Sequence, residues 1–126
     1  MSELPSFELG RPRTELRRQL VEAALRGEKT ATAGLLDEYE ADGLQPEPAG
    51  SRAILVGYDD EPVAVVEVTD SRVVPAEEID ERFARDEGEG YQSVEEWKVA
   101  HERFFGRPIE ATTEIVAIRF RVVERL

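Results

Sequence analysis

Two stretches of alternating apolar residues, 62–74 and 113–125, are separated by helix-patterned sequence over 75–112. If they pair, the intervening segment must pack beside the sheet they form, and such a pairing can close a barrel. A third stretch, 52–58, precedes the first across Asp59-Asp60-Glu61, which reads as a hairpin turn. In 62–74, Ala64, Val66 and Val68 share one face, and Val63, Val65, Glu67 and Thr69 the other. Both faces begin apolar, which predicts a central strand. In 113–125, Val116, Ile118, Phe120 and Val122 alternate with Ala117, Arg119, Arg121 and Val123. That pattern predicts a half-buried strand.

Helices fill most of the rest. Leu16, Leu20, Ala23 and Ala24 recur at helical spacing over 12–26, with Pro12 suited to the first turn and Gly27 to the stop. A bend or short strand is expected over 27–34, which is flanked by glycines, and a short helix over 35–41. The Pro-rich stretch 45–50 reads as a surface loop. Pro75 is expected to open a helix reaching Arg85. Ser93 and Glu96 form a capping box for a helix ending at Gly106, with Val94, Trp97, His101 and Phe104 on one stripe and Trp97 and Phe104 packed inward. The fold class is therefore α+β: a small mixed or antiparallel β-barrel with helices flanking a cleft. Residues 1–13 read as a loose lead-in and 14–126 as one domain, a size that 126 residues allow.

Composition narrows the chemistry. With no cysteine and a single histidine, thiolate nucleophiles, disulfides and multi-histidine metal sites within the chain are excluded. Any Ser-His-Asp triad would have to use His101. The formal charge is −12, and fourteen of the sixteen basic residues are arginines. A protein that grips long duplex nucleic acid is usually basic, so broad duplex binding is not expected. A small ligand or a locally basic groove is compatible with this charge. The start of the chain lacks a signal-peptide pattern and no apolar run is long enough to span a membrane, so a cytoplasmic location is expected. Glycine-rich phosphate loops and calcium-loop spacing are both absent.

Four groups of residues could carry chemistry. Lys29 and Thr32 could form a base–nucleophile pair, but three residues apart on a regular strand they would face opposite ways, so a bend is required. The bland reading is a solvated lysine and a strand threonine. Asp86, Glu87 and Glu89 on a glycine-punctuated loop could do acid–base work, or form an ordinary acidic surface. His101 invites a catalytic role, although its apolar stripe equally suits a packed, hydrogen-bonded histidine. Arg72, Arg119 and Arg121 could bind phosphate or pair with the abundant carboxylates.

Taken in order, the segments Gly27-Glu28-Lys29-Thr30-Ala31-Thr32, Glu67-Val68-Thr69, Phe83-Ala84-Arg85-Asp86-Glu87-Gly88-Glu89-Gly90, Ser93-Val94-Glu95-Glu96-Trp97 and His101-Glu102-Arg103-Phe104-Phe105 resemble the ASCH domain family over roughly 14–123. The resemblance implies a PUA-like fold and an association with RNA. Some small bacterial members are amidohydrolases that deacylate N4-acylated cytidine, and another is described as a ribonuclease. Carried over residue by residue, the amidohydrolase set falls on Lys29, Thr32 and Glu87. In that scheme Lys29 takes the Thr32 hydroxyl proton and Glu87 relays one to the leaving amine. Glu67, Asp86, Glu89, Tyr91, Trp97 and His101 are the substrate-binding candidates. No cofactor and no metal are expected, and the partner is a nucleoside or single-stranded RNA. A noncatalytic RNA- or nucleotide-binding module and a ribonuclease are the alternatives. Two departures stand out: Ala33-Gly34 follows the motif where that subgroup has an apolar residue and an arginine, and segment 35–50 is longer.

Overall fold

The computed structural model describes residues 4–126. Its elements are β1 (Ser6–Phe7), α1 (Glu15–Leu25), β2 (Ala31–Leu35), α2 (Leu36–Ala41), β3 (Arg52–Val56) and β4 (Pro62–Pro75). They are followed by a 3-10 turn (Ala76–Glu78), α3 (Glu81–Asp86), α4 (Val94–Phe105) and β5 (Glu114–Arg125). The strands form one sheet in the order β1-β3-β4-β5-β2. Only the β1–β3 pair is parallel; β3–β4, β4–β5 and β5–β2 are antiparallel. The expected α+β architecture is present, and β4 is central.

The sheet curls into a half-barrel. The β4–β5 register shifts twice, between Val65 and Val66 and between Val68 and Asp70. Such irregularities bend a long antiparallel pair and raise its twist. Inside the curl, Ala64, Val66, Val68, Val116, Ile118 and Phe120 pack against Leu20, Val21 and Ala24 of α1. The first half of β5 is not half-buried as its alternation suggested. Ile115 and Ala117 join a second core with Trp97, Phe83 and Ala84. Helices α3 and α4 cover that face, so residues 115–118 are buried on both sides.

Several local expectations are corrected. Helix α1 begins at Glu15, not Pro12, because Thr14 is the N-cap and its hydroxyl accepts the Arg17 N–H. Pro75 ends β4 instead of opening a helix. The chain makes a single 3-10 turn there, and α3 starts only after Asp80 caps the Phe83 N–H. Phe104 does not pack inward: it is 37% exposed, while Trp97 on the same helix is 1% exposed. Residues 6–9 are not loose. Phe7 and Leu9 are core residues, and β1 adds a strand to the sheet. Residues 1–3 of the expected lead-in lie outside the described residues.

Arg17 explains how that N-terminal segment is fixed. Its side chain is fully buried. Its guanidinium NH groups donate to the carbonyls of Leu9, Gly10 and Gly57 and to the carboxylates of Glu8 and Asp60. One helix residue thus ties the segment after β1 to the β3–β4 turn.

Candidate active site

The bend required between Lys29 and Thr32 lies just before β2. After α1, Gly27 adopts φ 80°, and the Glu28 and Lys29 N–H groups both donate to the Ala23 carbonyl. The Lys29 side chain then folds forward, and its Nζ donates to the Ala31 carbonyl at 2.8 Å. That carbonyl belongs to the peptide unit leading into Thr32. Both residues line one cavity of about 520 Å³, together with Glu87, Glu89, Tyr91 and His101. This volume falls in the range of small-molecule sites, roughly 300–1,000 Å³. Phe7, Leu20 and Ile118 supply apolar wall; Glu38, Tyr39 and Glu47 come from segment 35–50.

The loop after α3 reaches Lys29 because residue 88 is glycine. A Cβ on Gly88 would lie 2.7 Å from the Glu28 carbonyl oxygen and 2.7 Å from Lys29 Cα, and its φ is +73°. The two backbones therefore cross at a distance that no other residue permits. The Thr30 N–H donates to the Asp86 carbonyl at 2.8 Å beside this crossing. The crossing brings Glu87 and Glu89, on either side of Gly88, to the same ammonium. Lys29 Nζ lies 3.4 Å from Glu87 Oε1 and 3.8 Å from Glu89 Oε2, and it also donates to the Glu87 carbonyl at 3.2 Å.

Lys29, Glu87 and His101 form a buried chain. Glu87 is 1% exposed. Its Oε2 accepts the Trp97 Nε1–H and sits 3.3 Å from His101 Nε2. His101 Nδ1 lies 2.8 Å from the Trp97 carbonyl, which can only accept. With an acceptor at each ring nitrogen, the arrangement is satisfied when both carry protons. Burial alone would depress the His101 ring, but the hydrogen bond and charge of Glu87 outweigh it, and its pKa is raised. Burial would likewise raise Glu87. Lys29, His101 and the Trp97 N–H reverse that and hold the carboxyl below its usual range. Trp97 also stacks on the imidazole, at 4.4 Å between ring centroids.

Glu89 behaves differently. Its carboxyl is 22% exposed and faces the cavity. Burial pushes its pKa up, Lys29 pulls against this, Glu87 adds to the push, and the net shift is upward. The Tyr91 hydroxyl is raised as well, by burial and then by Glu89 and Glu87. Tyr39 donates to Glu47 at 2.8 Å and packs over Gly34, where a Cβ would meet its ring at 3.0 Å.

Two of the substrate-binding candidates lie elsewhere. Glu67, on β4, pairs with Arg121 and Arg52 on the outer surface. The Asp86 carboxylate turns to Arg119 at 2.7 Å, away from Lys29. Trp97 lies behind the cavity wall and acts on it through Glu87 and His101. The three arginines singled out as phosphate candidates all pair with carboxylates: Arg72 with Asp70, Arg119 with Asp86, and Arg121 with Glu67. The sequence reading missed Gly88, Tyr39 and Glu47 as parts of the site. The alternation Asp-Glu-Gly-Glu-Gly was the available signal for Gly88; nothing local marked the other two. Among the described residues, no group of three His, Asp or Glu side chains is placed to hold a metal ion. No helix among them is long and apolar enough to cross a membrane.

The curled sheet, the flanking helices and the cleft between them define a PUA-like α+β domain. The ASCH domain family model matches residues 8–124, and the chain belongs to that family. Among solved structures, it resembles protein EF3133 of Enterococcus faecalis V583, assigned there to the family model DUF984. The TM-score is 0.86 at 26% identity, covering 99% of this chain and 79% of that one. It also resembles an ASCH domain from Lactobacillus crispatus JV V101, with a TM-score of 0.80 at 25% identity over 95% of this chain and 79% of that one. A third structure, of the hypothetical protein PH0355, shares the fold with a TM-score of 0.61 at 23% identity, over 86% and 94% of the two chains. No curated protein matches the chain.

Proposed function

We propose that the cavity binds an N4-acylated cytidine and hydrolyses its amide, with Thr32 as nucleophile, Lys29 as its proton acceptor and Glu89 as the group that protonates the departing amine. The observation that carries this reading is the buried Lys29–Glu87–His101 chain, which lines the same nucleoside-sized cavity as Thr32. Lys29 Nζ has three acceptors around it, so at rest it is an ammonium with no lone pair to offer. It first gives one proton to Glu89, the neighbouring carboxylate whose pKa is raised. The free amine then takes the Thr32 hydroxyl proton as Oγ1 bonds to the amide carbon. Collapse of the adduct breaks the carbon–nitrogen bond, and the Glu89 acid supplies the proton that cytidine N4 needs to leave. Water hydrolyses the resulting threonine ester by the same proton route in reverse. Glu87 serves as the fixed anchor of Lys29, since Lys29, Trp97 and His101 already occupy its oxygens.

Family association with RNA supports the alternative of a noncatalytic RNA- or nucleotide-binding module. The acidic cavity lining, with Glu87 and Glu89 at its centre, favours the small uncharged substrate over RNA binding or RNA cleavage. Steady-state kinetics on N4-acetylcytidine test the assignment. Lys29→Ala, Thr32→Ala and Glu89→Gln should each lower kcat by about a hundredfold or more. Full activity in Lys29→Ala and Thr32→Ala would refute the scheme. Binding without turnover by the unaltered protein would leave the module reading in its place.

A further inference from the structure

The rim of the cavity carries charge that the proposed chemistry does not use. Glu8 follows β1, Glu38 lies on α2, and Glu47 lies on the loop between α2 and β3. Glu8 pairs with Arg17, which also holds Asp60, whereas Glu47 is met by a phenol, the Tyr39 hydroxyl. Deeper in stand Glu87 and Glu89, whose local cations are Lys29 and His101. Among the described residues, Arg103 is the only arginine lining the cavity. A ligand phosphate would bring up to two further negative charges into this carboxylate-lined space, against a repulsion that low-dielectric walls strengthen. An uncharged ribose and base meet no such penalty.

We propose that Glu38 and Glu47 are specificity-determining residues that admit an unphosphorylated nucleoside and turn away its 5′-phosphate and, by the same charge, an RNA chain. This rests on the nucleoside reading above and names the form of substrate that the site takes. Both residues belong to segment 35–50, so the longer segment that distinguishes this chain at the sequence level is what supplies the filter.

The test compares N4-acetylcytidine with its 5′-monophosphate, by kcat/KM and by calorimetric Kd, at low and at physiological ionic strength. Glu38→Gln and the double variant Glu38→Gln/Glu47→Gln are measured alongside. The amide introduced by Glu47→Gln keeps an acceptor for Tyr39, and thermal melts check that both variants are folded. At low ionic strength the nucleoside should be preferred by about tenfold or more. The preference should shrink as salt screens the rim, and again in each variant. A monophosphate handled as well as the nucleoside, or a ratio unmoved in both folded variants, would overturn the filter while leaving the nucleoside reading intact. Binding of neither compound would overturn that reading, and the filter with it.

Discussion

At the residue scale the site depends on Gly88 and His101 as much as on the side chains that would touch substrate. Gly88→Ala would combine a left-handed φ with a Cβ inside contact distance of backbone, and backbone cannot swing aside as a side chain can. The variant should lose about 2–4 kcal/mol of stability by chemical denaturation, from strain at a special φ added to overpacking. Activity should fall further than stability explains, because Glu87 and Glu89 move with the loop. His101 makes a different prediction. Its folded-state pKa is raised above the ordinary 6.5, so its stabilising contribution is complete below about pH 6.5 and is lost as pH rises through the folded value. Glu87, lowered from 4.5, contributes fully above that pH and loses its contribution as pH falls through the depressed value. Glu89, raised, opposes Glu87 in the acid range. Thermal melts across pH should therefore show the Tm declining on the alkaline side of pH 6.5. A His101→Gln variant should lack that decline; an identical alkaline slope in both proteins would show that His101 is not the group responsible.

At the element scale the lead-in, α1 and the β3–β4 turn act as one unit through Arg17. Removing that guanidinium leaves the Leu9 carbonyl without a donor and strips the Gly57 carbonyl of one of its two, the Asp60 N–H remaining. Arg17→Met keeps the stem packed and should still cost about 3 kcal/mol, measured by urea unfolding. A loss below about 1 kcal/mol would mean that water replaces those bonds at no cost. Arg17 also shows where periodicity misleads. It lies on a helix whose apolar spacing marks Leu16 and Leu20, yet Leu16 is partly exposed at the cavity and Arg17 is buried. The hydrogen-bonding demand of an irregular turn across the fold decides this, and it leaves no trace in local spacing. Pro12 and Pro75 are similar cases. Proline is compatible with a helix start at both, but Thr14 and Asp80 offer capping oxygens and set the actual starts.

At the scale of the whole molecule, strand patterning determined more of the fold than helix patterning did. The alternation over 62–74 and 113–125 specified the central pair, because a strand buried in a sheet must keep one apolar face throughout. The two-residue β1 was illegible: Phe7 and Leu9 resemble any stray apolar residues until a sheet edge receives them. Lys29, Thr32 and the acidic loop could be named from the sequence because the motif order marks them. Which glutamate is buried with its oxygens engaged and which stays partly open to the cavity could not be named, since it depends on a backbone crossing between residues 28–29 and residue 88. Phe104 was misassigned for the same kind of reason, because the stripe that buries Trp97 and His101 runs out into the cavity mouth.

The central claim is that this cavity breaks an amide by way of Thr32, and mass spectrometry of the protein incubated with N4-acetylcytidine tests it most directly. Cytidine and acetate should be released in equal amounts that grow with time, an acetyl group should be caught on the Thr32 peptide after a rapid acid quench, and Thr32→Ala should give neither signal. Recovery of intact N4-acetylcytidine at every protein concentration, or release by Thr32→Ala at the unaltered rate, would contradict it.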